Sequence, residues 1–325
     1  MDFQDVADSL HAELELVEAR LRQAADVEYP LVGDFLSAIV SSGGKRLRPI
    51  LLLLAAKSYD YDIPVLVPAA AGIELLHTAS LVHDDTIDHA LFRRGQPTLN
   101  SAFSSEAVIL LGDFLFAQSA MLATETMNPR VVRVFATTLG EITDGVLREI
   151  FSGHRTDQTR QDYEMRIYGK TASLFAGAAE MGAIIGGAPE DAITGIRGFG
   201  SDFGMAFQIV DDVLDFRSTA DKTGKPVGAD LRQGTVTLPT MYFLADSDGS
   251  PTATLVRRIV DGESVPEDEV QEITDLISRS SAIDRAMDVA TSYIDEARQR
   301  LDVIPDDSVR GQLHALTDLA LVRLS

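Results

Sequence analysis

Residues 3–21 read Phe3-Gln-Asp-Val6-Ala-Asp-Ser-Leu10-His-Ala-Glu-Leu14-Glu-Leu-Val17-Glu-Ala-Arg-Leu21. The apolar positions recur at intervals of three and four, with charges between them. That is the signature of one face of an α-helix. The same period runs through the rest of the 325 residues, whereas alternating β-branched stretches bounded by hairpin turns are nearly absent. Proline and glycine then punctuate the pattern. Tyr29-Pro30 predicts the end of the first helix, and Pro49 lies near the start of another. Pro64 and Pro68 precede a run from about Ala69 to Asp88. Arg94-Gly95-Gln96-Pro97 reads as a loop and Asn128-Pro129 as an N-cap followed by a first-turn proline. Gly186-Gly187 with Pro189 separates two helices, and 217–239 is the longest irregular stretch. Ser264-Val-Pro-Glu267 reads as a capping box. Ten or more helices follow, with no linker, repeat or low-complexity segment. The expected architecture is all-α: a single domain over 1–325, built as one large helical bundle whose sites form from side chains on facing helices.

Composition narrows the function. Lys and Arg number 28 against 50 Asp and Glu, a formal net charge of −22, which disfavours nucleic acid and anionic lipid as partners. There is no cysteine, which excludes disulfides, iron–sulfur clusters, thiolate zinc and a cysteine nucleophile. The apolar run Pro49–Ala56 is far shorter than the roughly 18 residues of a membrane span. The acidic start, Met-Asp-Phe-Gln-Asp, has no signal-peptide character. The expectation is a soluble cytoplasmic protein with no nucleic-acid partner and no stable membrane insertion. Asp outnumbers Glu by 33 to 17 and Arg outnumbers Lys by 23 to 5. Coding bias and a salty cytoplasm both account for that skew. Four of the five lysines, Lys45, Lys170, Lys222 and Lys225, fall in the motifs below.

Two segments match one another: Leu81-Val-His-Asp84-Asp85-Thr-Ile-Asp88 and Gln208-Ile-Val-Asp211-Asp212-Val-Leu-Asp215. On a helix, Asp84 and Asp88 share a face, as do Asp211 and Asp215, and each second aspartate lies about 100° round from the first. Carboxylates one turn apart suit Mg²⁺, which takes one or two of them and fills its other positions with water and phosphate oxygens. Acidic triplets are common on solvated helix faces, but here largely apolar residues precede both. Cations stand nearby: Lys45, Arg46 and Arg48 at the glycine turn of Gly44, Arg93 and Arg94, Lys170 in Gly169-Lys170-Thr171 opening a helix, and Lys222 and Lys225 in a glycine-rich loop. A metal-bridged diphosphate site fits this placement. Glu74-Leu-Leu-His77 is a single Glu-x-x-His, where a di-iron bundle needs two, so His77 reads as a polar group in the cleft. His83 and His89 flank the acidic motif as supporting or surface residues.

The set Gly-Gly-Lys-Arg-Leu-Arg-Pro, Glu-Leu-Leu-His-Thr-Ala-Ser-Leu-Val-His-Asp-Asp-Thr-Ile-Asp, Arg-Arg-Gly-Gln-Pro-Thr, Gly-Lys-Thr, Phe-Gln-Ile-Val-Asp-Asp-Val-Leu-Asp-Phe and Lys-Pro-Val-Gly-Ala-Asp-Leu resembles the trans-isoprenyl (polyprenyl) diphosphate synthases from Gly43 to Pro239. The resemblance implies a homodimeric all-α prenyltransferase with a central apolar cavity. It extends an allylic diphosphate head-to-tail with isopentenyl diphosphate and uses three Mg²⁺ per site. Asp84, Asp88 and Asp211 are then the main metal ligands, with Asp85, Asp212 and Asp215 supporting them. Arg93, Lys170, Thr171, Gln208 and Lys225 hold the allylic diphosphate. Gly44, Lys45, Arg48, His77 and Arg94 hold isopentenyl diphosphate. Thr235 stands where farnesyl-making relatives often carry lysine, so that contact is absent or comes from Lys222 or Arg232.

The positions one turn before Asp84, Ala79 and Ser80, are the expected floor of the product channel. Short-chain relatives tend to carry an aromatic residue there, so small side chains point to a product longer than geranylgeranyl (C20). The alternatives are a C20 or C15 product, if Phe114, Phe116, Met121 or Leu122 closes the channel. A terpene cyclase would not need the second diphosphate site, and a non-catalytic partner subunit could dispense with the aspartates.

Overall fold

The computed structural model describes residues 2–41, 44–93, 95–217 and 227–322. Its helices are α1 (Phe3–Asp8), α2 (His11–Ala24), α3 (Pro30–Ser41), α4 (Leu47–Lys57), α5 (Ile63–Ile87), α6 (Ser105–Glu125), α7 (Pro129–Ser152), α8 (Arg160–Ile167), α9 (Ser173–Ile185) and α10 (Glu190–Arg217). After these come α11 (Ala229–Arg232), α12 (Leu238–Asp246), α13 (Pro251–Val260), α14 (Glu267–Arg279), α15 (Ser281–Arg300) and α16 (Asp307–Val322). The extended structure among the described residues is one antiparallel ribbon, β1 (Phe92–Arg93) just before the expected loop with β2 (Gln96–Pro97) at its end. The fold is all-α, as the periodicity requires.

The chain forms two compact units. The first holds Met1–Gly140, Leu174–Gly200 and Arg298–Leu316; the second holds Glu141–Ser173, Ser201–Ala297 and Thr317–Ser325. In the first unit α5 is the core helix: Leu66 to Leu76 are buried without a break, and it packs along α6. In the second unit a core cluster joins Ile209, Val210, Val213 and Phe216 of α10 to Tyr163 and Ile167 of α8 and to residues of α12–α15.

Several boundaries differ from the sequence reading. The first periodic stretch breaks at Ser9 and Leu10 into α1 and α2, although Val6, Leu10, Val17 and Leu21 are all buried as one face predicts. Pro30 opens α3 instead of closing a helix, since a first-turn proline loses no intrahelical bond. For the same reason α5 begins at Ile63, with Pro64 in its first turn, and Pro68 inside the helix costs one backbone bond. Ser264 caps nothing: α14 starts after Pro266, and its first turn of Glu267, Asp268 and Glu269 suits the helix dipole instead. The Asn128 cap holds, with its Oδ1 accepting the Arg130 N–H at 3.0 Å.

α5 and α6 are each long and apolar enough to cross a membrane. The count of uninterrupted apolar residues passed over both because isolated polar residues interrupt them. α5 is mostly enclosed within its unit, whereas α6 is one-third buried and exposes Ile109, Leu110 and Met121.

Candidate active site

The last three turns of α5 place the first acidic motif on a narrow open stripe. His77, Ser80, Leu81 and Asp84 are half-buried and Asp88 is exposed, while Thr78, Ala79, Val82, Asp85 and Thr86 are buried. At 100° per residue, the open positions lie within about 60° of Asp84 round the helix, and Ala79 lies about 140° away. Ser80 therefore shares the face of the metal-type carboxylates. Ala79, with no exposed surface, is enclosed on the opposite side. Of the proposed channel-closing residues, Met121 points outward at 58% exposure, which removes it as a plug within this chain.

Asp85 is directed inward and is engaged: Arg93 Nε donates to its Oδ1 at 2.8 Å. The loop after the motif is tied down further. Thr86 donates to Asn100 Oδ1 at 3.1 Å and Thr98 to the Ala90 carbonyl at 2.6 Å. His83 bridges to α6, with Nε2 3.0 Å from the Ile109 carbonyl and the ring edge-on to Phe116. Gly112 makes room for it, since a Cβ there would meet the imidazole at 2.2 Å. Arg94 lies outside the described residues.

The basic turn before α4 divides. Gly44 and Lys45 are exposed, with Lys45 Nζ 5.8 Å from the centre of the Phe3 ring. Arg48 is half-buried with its guanidinium 4.5 Å over Phe175. Arg46 is not the third phosphate cation that the run of charges suggested. It caps α4 in a left-handed conformation, φ +47, and donates to Glu18 at 2.5 Å, to Glu74 at 3.2 Å and to the Val40 carbonyl at 2.6 Å. The enclosed Glu74 consumes that cation, so it is structural.

In the second unit α10 repeats the same division. Gln208, Asp211 and Asp215 are half-buried along one stripe, and Asp212 is 3% exposed. Asp212 accepts from Tyr163 Oη at 2.7 Å and from Gln208 Nε2 at 2.8 Å, and Gln208 Oε1 accepts from Thr171 at 2.7 Å. Burial pushes the Asp212 carboxyl up to about 7, opposed by those two hydrogen bonds and by the charge of Arg166. Asp215 accepts the Ala229 and Asp230 N–H groups at 3.1 Å each, fixing the start of α11. Desolvation and the neighbouring Asp215 and Asp212 hold the Asp230 carboxyl well above its usual value. Arg232 is turned away: it pairs with Glu267 and donates to the Val227 carbonyl, so it does not supply the contact missing at Thr235. Lys222 and Lys225 lie outside the described residues.

Gly169-Lys170-Thr171 does not open a helix. It lies in a π-helical turn, Tyr168–Ala172, between α8 and α9, where one extra residue per turn redirects the side chains. Lys170 Nζ pairs with Glu149 of α7. The turn lies backbone against backbone on α7, and a Cβ at Gly145 would sit 2.2 Å from the Lys170 nitrogen. Gly145→Ala is therefore expected to cost roughly 1–3 kcal/mol and to displace Lys170. Denaturant unfolding together with a crystal structure of the variant checks both.

An open groove of about 370 Å³ in this unit, edged by Glu141, Asp144, Arg148, Glu164, Tyr168 and Tyr293, reaches the Gly-Lys-Thr turn at Gly169 and is lined by none of the six motif aspartates. Among the described residues no group of three or more Asp, Glu or His converges on one point. What exists is a pair of carboxylates per motif, which suits a hard cation that brings water and phosphate oxygens with it. Sequence reasoning passed over Tyr163, Glu149 and Gly145, each distant along the chain from the motif it serves.

The polyprenyl synthetase family model matches residues 29–277. The chain is 40% identical to heptaprenyl diphosphate synthase component 2 of Geobacillus stearothermophilus over 315 residues, covering 96% of this chain and 95% of that one. It is 35% identical over 326 residues to an all-trans-nonaprenyl-diphosphate synthase (geranyl-diphosphate specific) of Rhodobacter capsulatus, covering 100% and 99%. The crystal structure of a polyprenyl synthase from Caulobacter crescentus CB15, complexed with calcium and isoprenyl diphosphate, superposes with a TM-score of 0.94 at 29% identity, covering 100% and 98%. The chain belongs to the polyprenyl synthetase family. Its enzyme class is that of the trans-polyprenyl diphosphate synthases.

Proposed function

We propose that the chain is a Mg²⁺-dependent prenyltransferase that condenses isopentenyl diphosphate head-to-tail with an allylic diphosphate and makes an all-trans product longer than C20. One observation carries the reading: in both acidic motifs the first and last aspartates lie on an open stripe, and the middle one is buried and hydrogen-bonded. Asp84 and Asp88, and Asp211 and Asp215, are the residues that would hold Mg²⁺. When bound, the metal supplies Lewis-acid stabilisation of the departing diphosphate. Calcium with isoprenyl diphosphate in the Caulobacter structure supports a divalent ion of this kind.

Lys170, Thr171, Gln208 and Arg93 orient the allylic diphosphate, together with Lys225. Gly44, Lys45, Arg48 and His77, together with Arg94, bind isopentenyl diphosphate, whose double bond attacks the allylic carbon as the carbon–oxygen bond breaks. Proton loss to the diphosphate closes the step, so no side-chain base is needed, and the double bond itself is the nucleophile. The names of the heptaprenyl and nonaprenyl relatives support a long product. The family match runs through both compact units, which supports reading 1–325 as one catalytic domain.

The test is extension by the purified chain. Isopentenyl diphosphate is supplied with dimethylallyl, geranyl, farnesyl or geranylgeranyl diphosphate in separate reactions, each with Mg²⁺ and with chelator. Metal-dependent products of 30 carbons or more are expected. A stop at 20 carbons refutes the length, and no extension refutes the enzyme acting alone. The component 2 name of the Geobacillus relative favours a second reading, in which a different chain is needed for turnover.

The exposed apolar residues of α6 support a homodimer. Leu110, Ala117 and Met121 fall on one line of the helix and are exposed. Leu110→Glu is expected to weaken self-association roughly 100-fold or more, because it buries an unpaired charge. Sedimentation equilibrium measures the change, and an unchanged mass excludes this face.

A further inference from the structure

Tyr163 belongs to no motif, yet it is fully buried with no exposed surface, and its hydroxyl reaches Asp212 at 2.7 Å. Its surroundings fix it in place. The Arg166 guanidinium, 4% exposed, lies 5.5 Å from the ring centre. Arg166 itself is tied to Gln158 at 2.9 Å and to the Val236 carbonyl at 2.7 Å. A phenol enclosed in this way cannot turn to water.

The hydrogen bonds beyond Tyr163 have one consistent direction. Tyr163 Oη donates to one Asp212 oxygen and the Gln208 Nε2 group donates to the other. That orientation sends Gln208 Oε1 toward Thr171, which donates its single hydroxyl proton at 2.7 Å. Enclosed and engaged by a side-chain donor on each oxygen, Asp212 lies off the open stripe that carries Asp211 and Asp215. It is well placed to hold the α10 stripe and the Gln208 amide in one orientation.

We infer that Tyr163 is a positioning residue for the second acidic motif: it clamps Asp212 and, through Asp212 and Gln208, sets the orientation of the Thr171 hydroxyl at the diphosphate subsite. This rests on the proposed prenyltransferase reading. The residue touches no substrate and acts through others. Removing its oxygen leaves one oxygen of the buried carboxylate without its donor, so the side chain is free to swing toward Gln208. That movement releases the amide from its fixed direction.

The experiment is a double-mutant cycle on Tyr163→Phe and Asp212→Asn, read by calorimetric binding of inorganic diphosphate in the presence of Mg²⁺ and by kcat and KM for chain extension. Tyr163→Phe is expected to weaken Mg²⁺–diphosphate binding about tenfold, with a similar fall in kcat. Asp212→Asn is expected to move both in the same direction, and adding Tyr163→Phe to it changes little further, because the two act as one unit. Binding and kcat that match wild type in Tyr163→Phe overturn the assignment. So do single-variant effects that simply add, which would make Tyr163 a packing residue. If Tyr163→Phe does not fold, wild-type binding by Asp212→Asn alone overturns it. A wild-type chain that neither binds Mg²⁺–diphosphate nor extends a primer overturns the prenyltransferase reading, and this inference with it.

Discussion

Asp211→Asn is expected to lower turnover about a thousandfold at saturating substrate and to leave the fold intact. The side chain is half-buried on the open stripe of α10, so swapping one oxygen for an amide nitrogen removes a charge and creates no cavity. A metal ion at a developing diphosphate contributes several kcal/mol, and about 4 kcal/mol corresponds to a factor near a thousand. Stability should change by no more than about 0.5 kcal/mol, as for surface substitutions generally. Asp215 makes the informative contrast. Its two oxygens accept the Ala229 and Asp230 N–H groups, so Asp215→Asn also loosens the start of α11 and should lower the unfolding temperature. Extension assays over a range of Mg²⁺, paired with thermal melts, separate the two effects. An Asp211→Asn chain within tenfold of wild type would mean that the second motif holds no metal.

Ser80→Phe is expected to shift the product to a shorter chain by several isoprene units, with initiation unchanged. Ser80 lies one turn before Asp84 on the same open face, so a tail that starts at the carboxylates and runs down α5 meets it first. Its hydroxyl donates back to the His77 carbonyl at 2.8 Å. Ala79→Phe should behave differently. Ala79 is enclosed, so a benzyl group there overpacks the unit and costs roughly 1–3 kcal/mol without blocking a channel. Product distributions from the two variants, set beside their unfolding midpoints, decide the matter. An unshortened Ser80→Phe product rules out this face as the channel floor, and a shortened Ala79→Phe product at full stability moves the floor to Ala79.

Much of the candidate site was legible along the chain. Asp84 with Asp88 and Asp211 with Asp215 follow from an interval of four on a helix, and the helix follows from local periodicity. The inward turn of Asp85 and Asp212 was implicit in their offset from those faces, but what would meet them there was not. Arg93 is eight residues from Asp85, and no helical spacing marks their ion pair; Tyr163 is 49 residues from Asp212 and carries no motif. Arg46 looked identical to Arg48 as a charge beside a glycine turn. Glu18 and Glu74, each 28 residues away, made one of them structural. The π turn at Lys170 was hidden because its cause is the close approach of Gly145, not the local Gly-Lys-Thr.

The sequence alone determined the all-α class, the family, the carboxylate pairs and the hard-metal chemistry they suit. All of these rest on residue types at short, regular spacings, which covalent geometry converts directly into shared faces. Only the tertiary structure decided which aspartate of each motif is enclosed, which arginines are already engaged and which side of α5 borders open space. Those outcomes depend on burial and on partners brought together from distant parts of the chain. Desolvation makes a buried charge take the nearest donor that packing delivers, and no spacing in the sequence specifies which one that is.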